Sequence, residues 1–161
     1  MKKTIPAVLL LCCLLAVAGC IGTEQAAITP EYAATLAEAR EIFGPDIPEP
    51  SYLPEGYVFE NATCPPDGSV TLTYTGAAGD LRITKLSSPD APCPGPTVSG
   101  DKEWIAQGDG ILGQLVFDND DRSEGSLWRL RWDWNDESFC MTGSLPWGEI
   151  TKVAASVVRE R

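Results

Sequence analysis

Six cysteines and not one histidine set the chemistry open to this chain. Without an imidazole there is no Ser-His-Asp or Cys-His nucleophile. Thiols remain, but no Cys-x-x-Cys pair or Cys/His cluster spaces them for a metal or a redox couple. Asp118-Asn119-Asp120-Asp121 concentrates carboxylates, yet Arg122 stands where a calcium loop needs a ligand oxygen and no Gly follows it. That run reads as a solvated turn. No Gly-rich loop opens a helix with a Lys, so nucleotide hydrolysis has no support, and no two carboxylates are singled out for glycoside cleavage. The expectation is a protein that is not an enzyme, with no cofactor and no metal.

The cysteines divide by position. Lys2 and Lys3 precede an uncharged run from Ile5 to Ala18, which ends in Val17-Ala18-Gly19-Cys20. A short apolar run behind two lysines is a secretory h-region rather than a membrane span. Small residues before a Cys resemble the lipobox of bacterial and archaeal lipoproteins, in which the thiol is alkylated by lipid before cleavage. The expected processing cuts between Gly19 and Cys20 and leaves lipid on Cys20. Residues 1–19 are then the signal peptide, 20–28 a lipidated tether, and 29–161 a single extracytoplasmic domain anchored at the cell membrane. Two acyl chains, at about 0.8 kcal/mol per buried methylene, anchor firmly where one does so marginally.

Cys12 and Cys13 leave with the signal peptide, so Cys64, Cys93 and Cys140 remain in an oxidising compartment. Three thiols allow three pairings. Cys64 and Cys93 both lie in Pro-rich stretches, Thr63-Cys64-Pro65-Pro66 and Pro92-Cys93-Pro94-Gly95, and are the favoured disulfide, whereas Cys140 reads as a buried thiol within a strand. Such a bridge would contribute about 3–4 kcal/mol. Removing residues 1–19 takes away two lysines and no acid, so the formal charge of −11 becomes −13. A chain this acidic, with no basic stripe, repels phosphate backbones and excludes nucleic acid as a partner.

Positioning these residues requires elements of both kinds. Thr29-Pro30-Glu31 predicts a helix start, with Tyr32, Leu36, Ala39 and Phe43 as its apolar stripe and Gly44-Pro45 as its end. A proline-rich extended stretch follows from Ile47 to Tyr57. The period then becomes two: Val70, Leu72 and Tyr74 alternate with threonines, a turn spans Gly76 to Asp80, and Leu81 and Ile83 continue on the next strand. Further strands are expected near 103–107, 111–117, 127–134 and 138–142, and Ile150, Val153, Ala154 and Val157 mark a closing helix. The predicted fold class is α+β: a curved antiparallel sheet of about six or seven strands, with an N-terminal and a C-terminal helix packed on one face.

Pro50-Ser-Tyr-Leu-Pro-Glu-Gly-Tyr57, the Trp-rich strand, Phe139-x-Met141-x-Gly143 and Ala154-x-Ser156-Val157 follow one another in an order that is familiar. They resemble a domain-of-unknown-function family with a P-x-YLPxGY motif, found in the outer regions of anti-sigma factors and in small prokaryotic lipoproteins. The resemblance spans residues 40–158. It implies a fold similar to the lipoprotein carrier LolA and the stress sensor RseB, and it transfers no catalytic residue. A lipobox here stands in place of the transmembrane helix and sigma-binding domain.

Trp128, Trp132 and Trp134 share one face of their strand and have two placements. They either fill the sheet–helix core or line a concave apolar cavity for a lipid or lipoprotein tail. Asn61-Ala62-Thr63 is a glycosylation sequon, which marks Asn61 as a candidate surface residue. The expected function is a membrane-tethered, non-enzymatic binding or sensing module for an apolar ligand or an envelope protein. Two alternatives are a structural accessory subunit of an envelope complex and, below both, carbohydrate binding by exposed tryptophans.

Overall fold

The computed structural model describes residues 31–95, 102–106, 112–117 and 125–158. The signal segment, Gly19, Cys20, the Thr29-Pro30 pair and the Asp118–Asp121 run lie outside the described residues. Among the described residues, eight strands form one open antiparallel sheet: β1 (Glu31–Ala33), β2 (Val58–Cys64), β3 (Val70–Gly76), β4 (Gly79–Lys85), β5 (Lys102–Ala106), β6 (Leu112–Phe117), β7 (Trp128–Trp134) and β8 (Glu137–Gly143). Their order across the sheet is β1-β2-β3-β4-β8-β7-β6-β5. The described residues also form two helices, α1 (Leu36–Phe43) and α2 (Trp147–Val158). The class is the expected α+β.

Directly opposed residues in an antiparallel pair share a face, so the register sorts the sheet's two sides. Tyr74 stands opposite Leu81, Leu72 opposite Ile83, and Ile83 opposite Met141. Met141 stands opposite Leu130 and Phe139 opposite Trp132. All of these are buried in one cluster with Ala39 of α1 and Ile150, Val153, Ala154 and Val157 of α2. Both helices therefore pack on the same apolar face. Trp132 and Phe139 stack with ring centroids 5.4 Å apart, and Phe59 meets Tyr74 edge-to-face at 5.8 Å.

The chain enters the first helix later than Thr29-Pro30 suggests. Thr35 is the N-cap, accepting from the Glu38 amide at 3.1 Å, while the Glu38 carboxylate accepts from the Ala34 amide at 2.8 Å. This reciprocal cap fixes the start at Leu36. Tyr32 is then free to join the edge strand β1 opposite Thr63, where its side chain is exposed rather than part of the helical stripe. Leu36, Ala39 and Phe43 do pack on the core.

The P-x-YLPxGY residues clamp the sheet to α2. The Ser51 hydroxyl donates to the Ser156 carbonyl and the Ser156 hydroxyl to the Tyr52 carbonyl, each at 3.3 Å. The Tyr52 hydroxyl donates to Glu149 in the first turn of α2. Gly56, at φ +85°, supplies the left-handed position of a turn closed by the Tyr57 amide on the Pro54 carbonyl. The motif's work is structural.

Candidate functional site

The sheet's other face is polar. Across it, Thr63, Thr71, Thr84, Cys140 and Arg131 form one row of opposed residues on β2, β3, β4, β8 and β7. Asn61, Thr73, Arg82, Thr142 and Arg129 form the next. The Thr71 and Thr84 hydroxyls lie 2.9 Å apart and hydrogen-bond to each other. A polar face would ordinarily be left to water, yet Thr73, Thr84, Ser138 and Thr142 are all buried.

What covers part of this face is the segment from Leu86 to Gly95, which follows β4. Pro89, Pro92 and Pro94 hold it extended, and three attachments pin it down. The Leu86 amide donates to the Ser138 carbonyl at 2.8 Å. The Arg131 guanidinium donates to the Ala91 carbonyl at 2.8 Å and also to the Pro89 carbonyl. Finally, Cys93 is bonded to Cys140.

This bond corrects the expected Cys64–Cys93 pairing. Among the described cysteines Cys64 is the free thiol, and its neighbourhood explains why. Ala62 faces the core opposite Leu72, so Cys64, two residues on, points to the helix side as well. Cys140 lies opposite Thr84 and Arg131, on the side where the strap runs. The pleat puts Cys64 and Cys93 on opposite sides of the sheet. Burial raises the Cys64 thiol pKa, and Glu31 and Asp67 raise it further.

Between the strap and strands β2–β4 lies a groove of about 640 Å³. Its floor includes Asn61, Thr63, Thr71 and Thr73, and Pro65, Pro92 and Pro94 supply walls. Its charged groups are largely engaged with their neighbours. Arg82 pairs with Asp80 at 3.0 Å. The Thr75 hydroxyl lies 2.9 Å from a Glu60 oxygen and 3.4 Å from Asp80. Asp67 accepts from the Ser69 amide at 2.9 Å and the Ser69 hydroxyl at 2.8 Å, and these two donors hold its carboxyl below the usual range. Among the described residues no cluster of three His, Cys, Asp or Glu side chains is placed to hold a metal.

Of the two placements open to the tryptophans, the core is the one observed. Trp128 and Trp132 are each 1 % exposed, and Trp134 packs against the same cluster. The Trp128 indole donates to the Leu145 carbonyl at 3.1 Å, tying β7 to the segment before α2. The helices pack on the face these rings share, so Trp128 and Trp132 belong to the core and Trp134, partly buried, packs against it. Asn61, the sequon residue, sits half-buried on β2 and lines the groove. In sequence, Thr71 and Thr73 look like the wet side of a half-buried strand, and nothing marks them as the floor of a groove. Thr84 and Thr142 join the same face only through the antiparallel register. No protein family, characterised protein or solved structure matches the chain. Among the described residues no helix is long and apolar enough to cross a membrane.

Proposed function

We propose that this chain is a lipid-anchored, extracytoplasmic binding or sensing module that catalyses nothing and engages its ligand or envelope partner through the strapped polar groove. The observation that carries the reading is the strap's attachment. A disulfide and a two-point Arg131 clamp hold the proline-rich segment against a buried polar face, which fixes a groove before any ligand arrives. Preorganisation of this kind lowers the ordering cost of binding, and about 640 Å³ falls within the range of ligand sites.

The anchor rests on the agreement in register of Lys2-Lys3, the uncharged run and Val17-Ala18-Gly19-Cys20. Two helices on one face of an open antiparallel sheet are consistent with a LolA/RseB-like fold. In this chain the apolar side is filled by Trp128 and Trp132, so binding falls to the opposite side. The test is a photo-crosslinking amino acid placed at Asn61, in the groove, or at Glu41, on the exposed side of α1, in the membranes of living cells. Adducts from position 61 alone support the reading, and adducts from position 41 alone, or from neither, contradict it. Cys20→Ser should abolish membrane retention, and unchanged retention would remove the anchor.

A further inference from the structure

We propose that the strapped groove takes a neutral oligosaccharide, with the Tyr32 ring as the platform on which a sugar ring packs. This rests on the groove being the binding face and adds the class of ligand.

Charge excludes half the candidates. Glu60, Asp67 and Asp80 line the groove, and the cation beside them, Arg82, is committed to Asp80. On a chain of formal charge −11 such a groove repels phosphates, sulfates and uronates. An apolar ligand fares no better, since it would strip water from threonine hydroxyls and carboxylates and return no hydrogen bond.

The groups left to recognise a ligand are neutral. Among the described residues, the Thr63 and Thr73 hydroxyls and the Asn61 amide line the groove without a side-chain hydrogen bond, while each carboxylate has a donor of its own. A hydroxyl or a primary amide both donates and accepts. Vicinal sugar hydroxyls do the same, so the two sets are complementary in a way that a purely cationic or purely anionic ligand cannot match.

The second requirement of a sugar is a flat apolar surface for its C–H face. Tyr32 stands opposite Thr63 on the neighbouring strand, hence on the same side of the sheet. Adjacent strands run about 4.8 Å apart, which places the ring's base beside the groove floor. Tyr32 is 58 % exposed, which leaves its ring open to a ligand. Pro65, Pro92 and Pro94 add apolar surface to the lining of the groove. A polar floor, neutral donors and an exposed aromatic ring on the adjacent edge strand together suit a carbohydrate.

The experiment uses the full-length chain purified in detergent and a printed array of neutral, anionic and cationic oligosaccharides. The expected result is binding confined to neutral glycans. Calorimetric titration of the best neutral glycan should then lose at least tenfold in affinity for Tyr32→Ala and about tenfold for Thr73→Val, both with unchanged Tm and circular dichroism. No neutral binding at millimolar concentration, a preference for cationic probes, or affinities untouched by both variants overturns the proposal. Crosslinking from position 61 separates this failure from that of the groove itself. Capture of a protein partner there, with a blank neutral array, removes the glycan and leaves the binding face, whereas no capture and a blank array remove both.

Discussion

Cys93 and Cys140 are bonded across 47 residues of sequence, and because Cys140 lies on the polar side of β8, the bond lays the proline-rich strap over that side and no other. Arg131, directly opposite Cys140 on β7, donates to two strap carbonyls from the same row. One row of the sheet thus carries both the covalent and the hydrogen-bonded anchors of the groove.

The loop closed by this bond gives the first prediction. By loop-closure entropy, a separation of 47 residues corresponds to about 4 kcal/mol of stability. Cys140→Ser and Cys93→Ser should each lose that amount in urea unfolding, while Cys64→Ser should shift the midpoint little. Peptide mapping without reductant should join the fragments that carry residues 93 and 140, and a 64–93 link would contradict the pairing.

Tyr57 and Gly76 provide the second. A Cβ on Gly76 would lie 2.7 Å from the Tyr57 ring, which covers the end of β3 in the space glycine leaves. Gly76→Ala should therefore destabilise the domain by about 1–3 kcal/mol through overpacking. Adding Tyr57→Ala should cost less on that background than alone, because the clash has gone. Urea denaturation of the four proteins in the cycle measures this coupling, and strict additivity would mean the ring does not sit there.

A third prediction concerns acid. The Tyr52 hydroxyl and, after it, the Lys152 ammonium hold the Glu149 carboxyl below the usual carboxylate range. A carboxylate whose folded pKa is depressed adds stability at pH above its unfolded value of about 4.3, and that stability is lost as pH falls through the folded value. The Tm difference between the native chain and Glu149→Gln should be largest near neutrality and should shrink on acidification below about pH 4. Asp67, lowered by Ser69, acts in the same direction. A difference independent of pH would show that the Glu149 contact is not ionic.

Trp132 separates core from cavity. Buried at 1 % exposure and stacked on Phe139, it should cost about 3–5 kcal/mol when replaced by Ala. A tryptophan lining an open cavity loses far less, so a change under about 1 kcal/mol would return the ring to the ligand.

Much of this fold is readable from residue order. The alternation of Val70, Leu72 and Tyr74 with threonines gives β3, the Asn135-Asp136 pair, with both residues at positive φ, turns β7 back into β8, and the stripe from Ile150 to Val157 gives α2. Strand β2 is hidden by a register shift between Phe59 and Asn61. The extra residue puts Phe59 and Ala62 on the same side, three positions apart, and breaks the period of two by which strands are read. The three residues of β1 are too few to show any period, and the cap at Thr35 and Glu38 competes with an equally plausible one at Thr29. The groove could not be read at all before the register was known. Its floor is drawn from β2, β3 and β4 and its wall from the strap, and only the partnering of Thr63, Thr71 and Thr84 brings them together.

The most direct test of the central claim is an amide chemical-shift map of the full-length, oxidised chain in detergent micelles, titrated with a cell-envelope extract. The account predicts that the shifts concentrate at Thr63, Thr71, Thr73 and Arg82 and vanish when the strap is released by Cys93→Ser. Shifts confined to the outer faces of α1 and α2, at residues such as Glu41 and Lys152, would contradict it and move the binding surface to the helices.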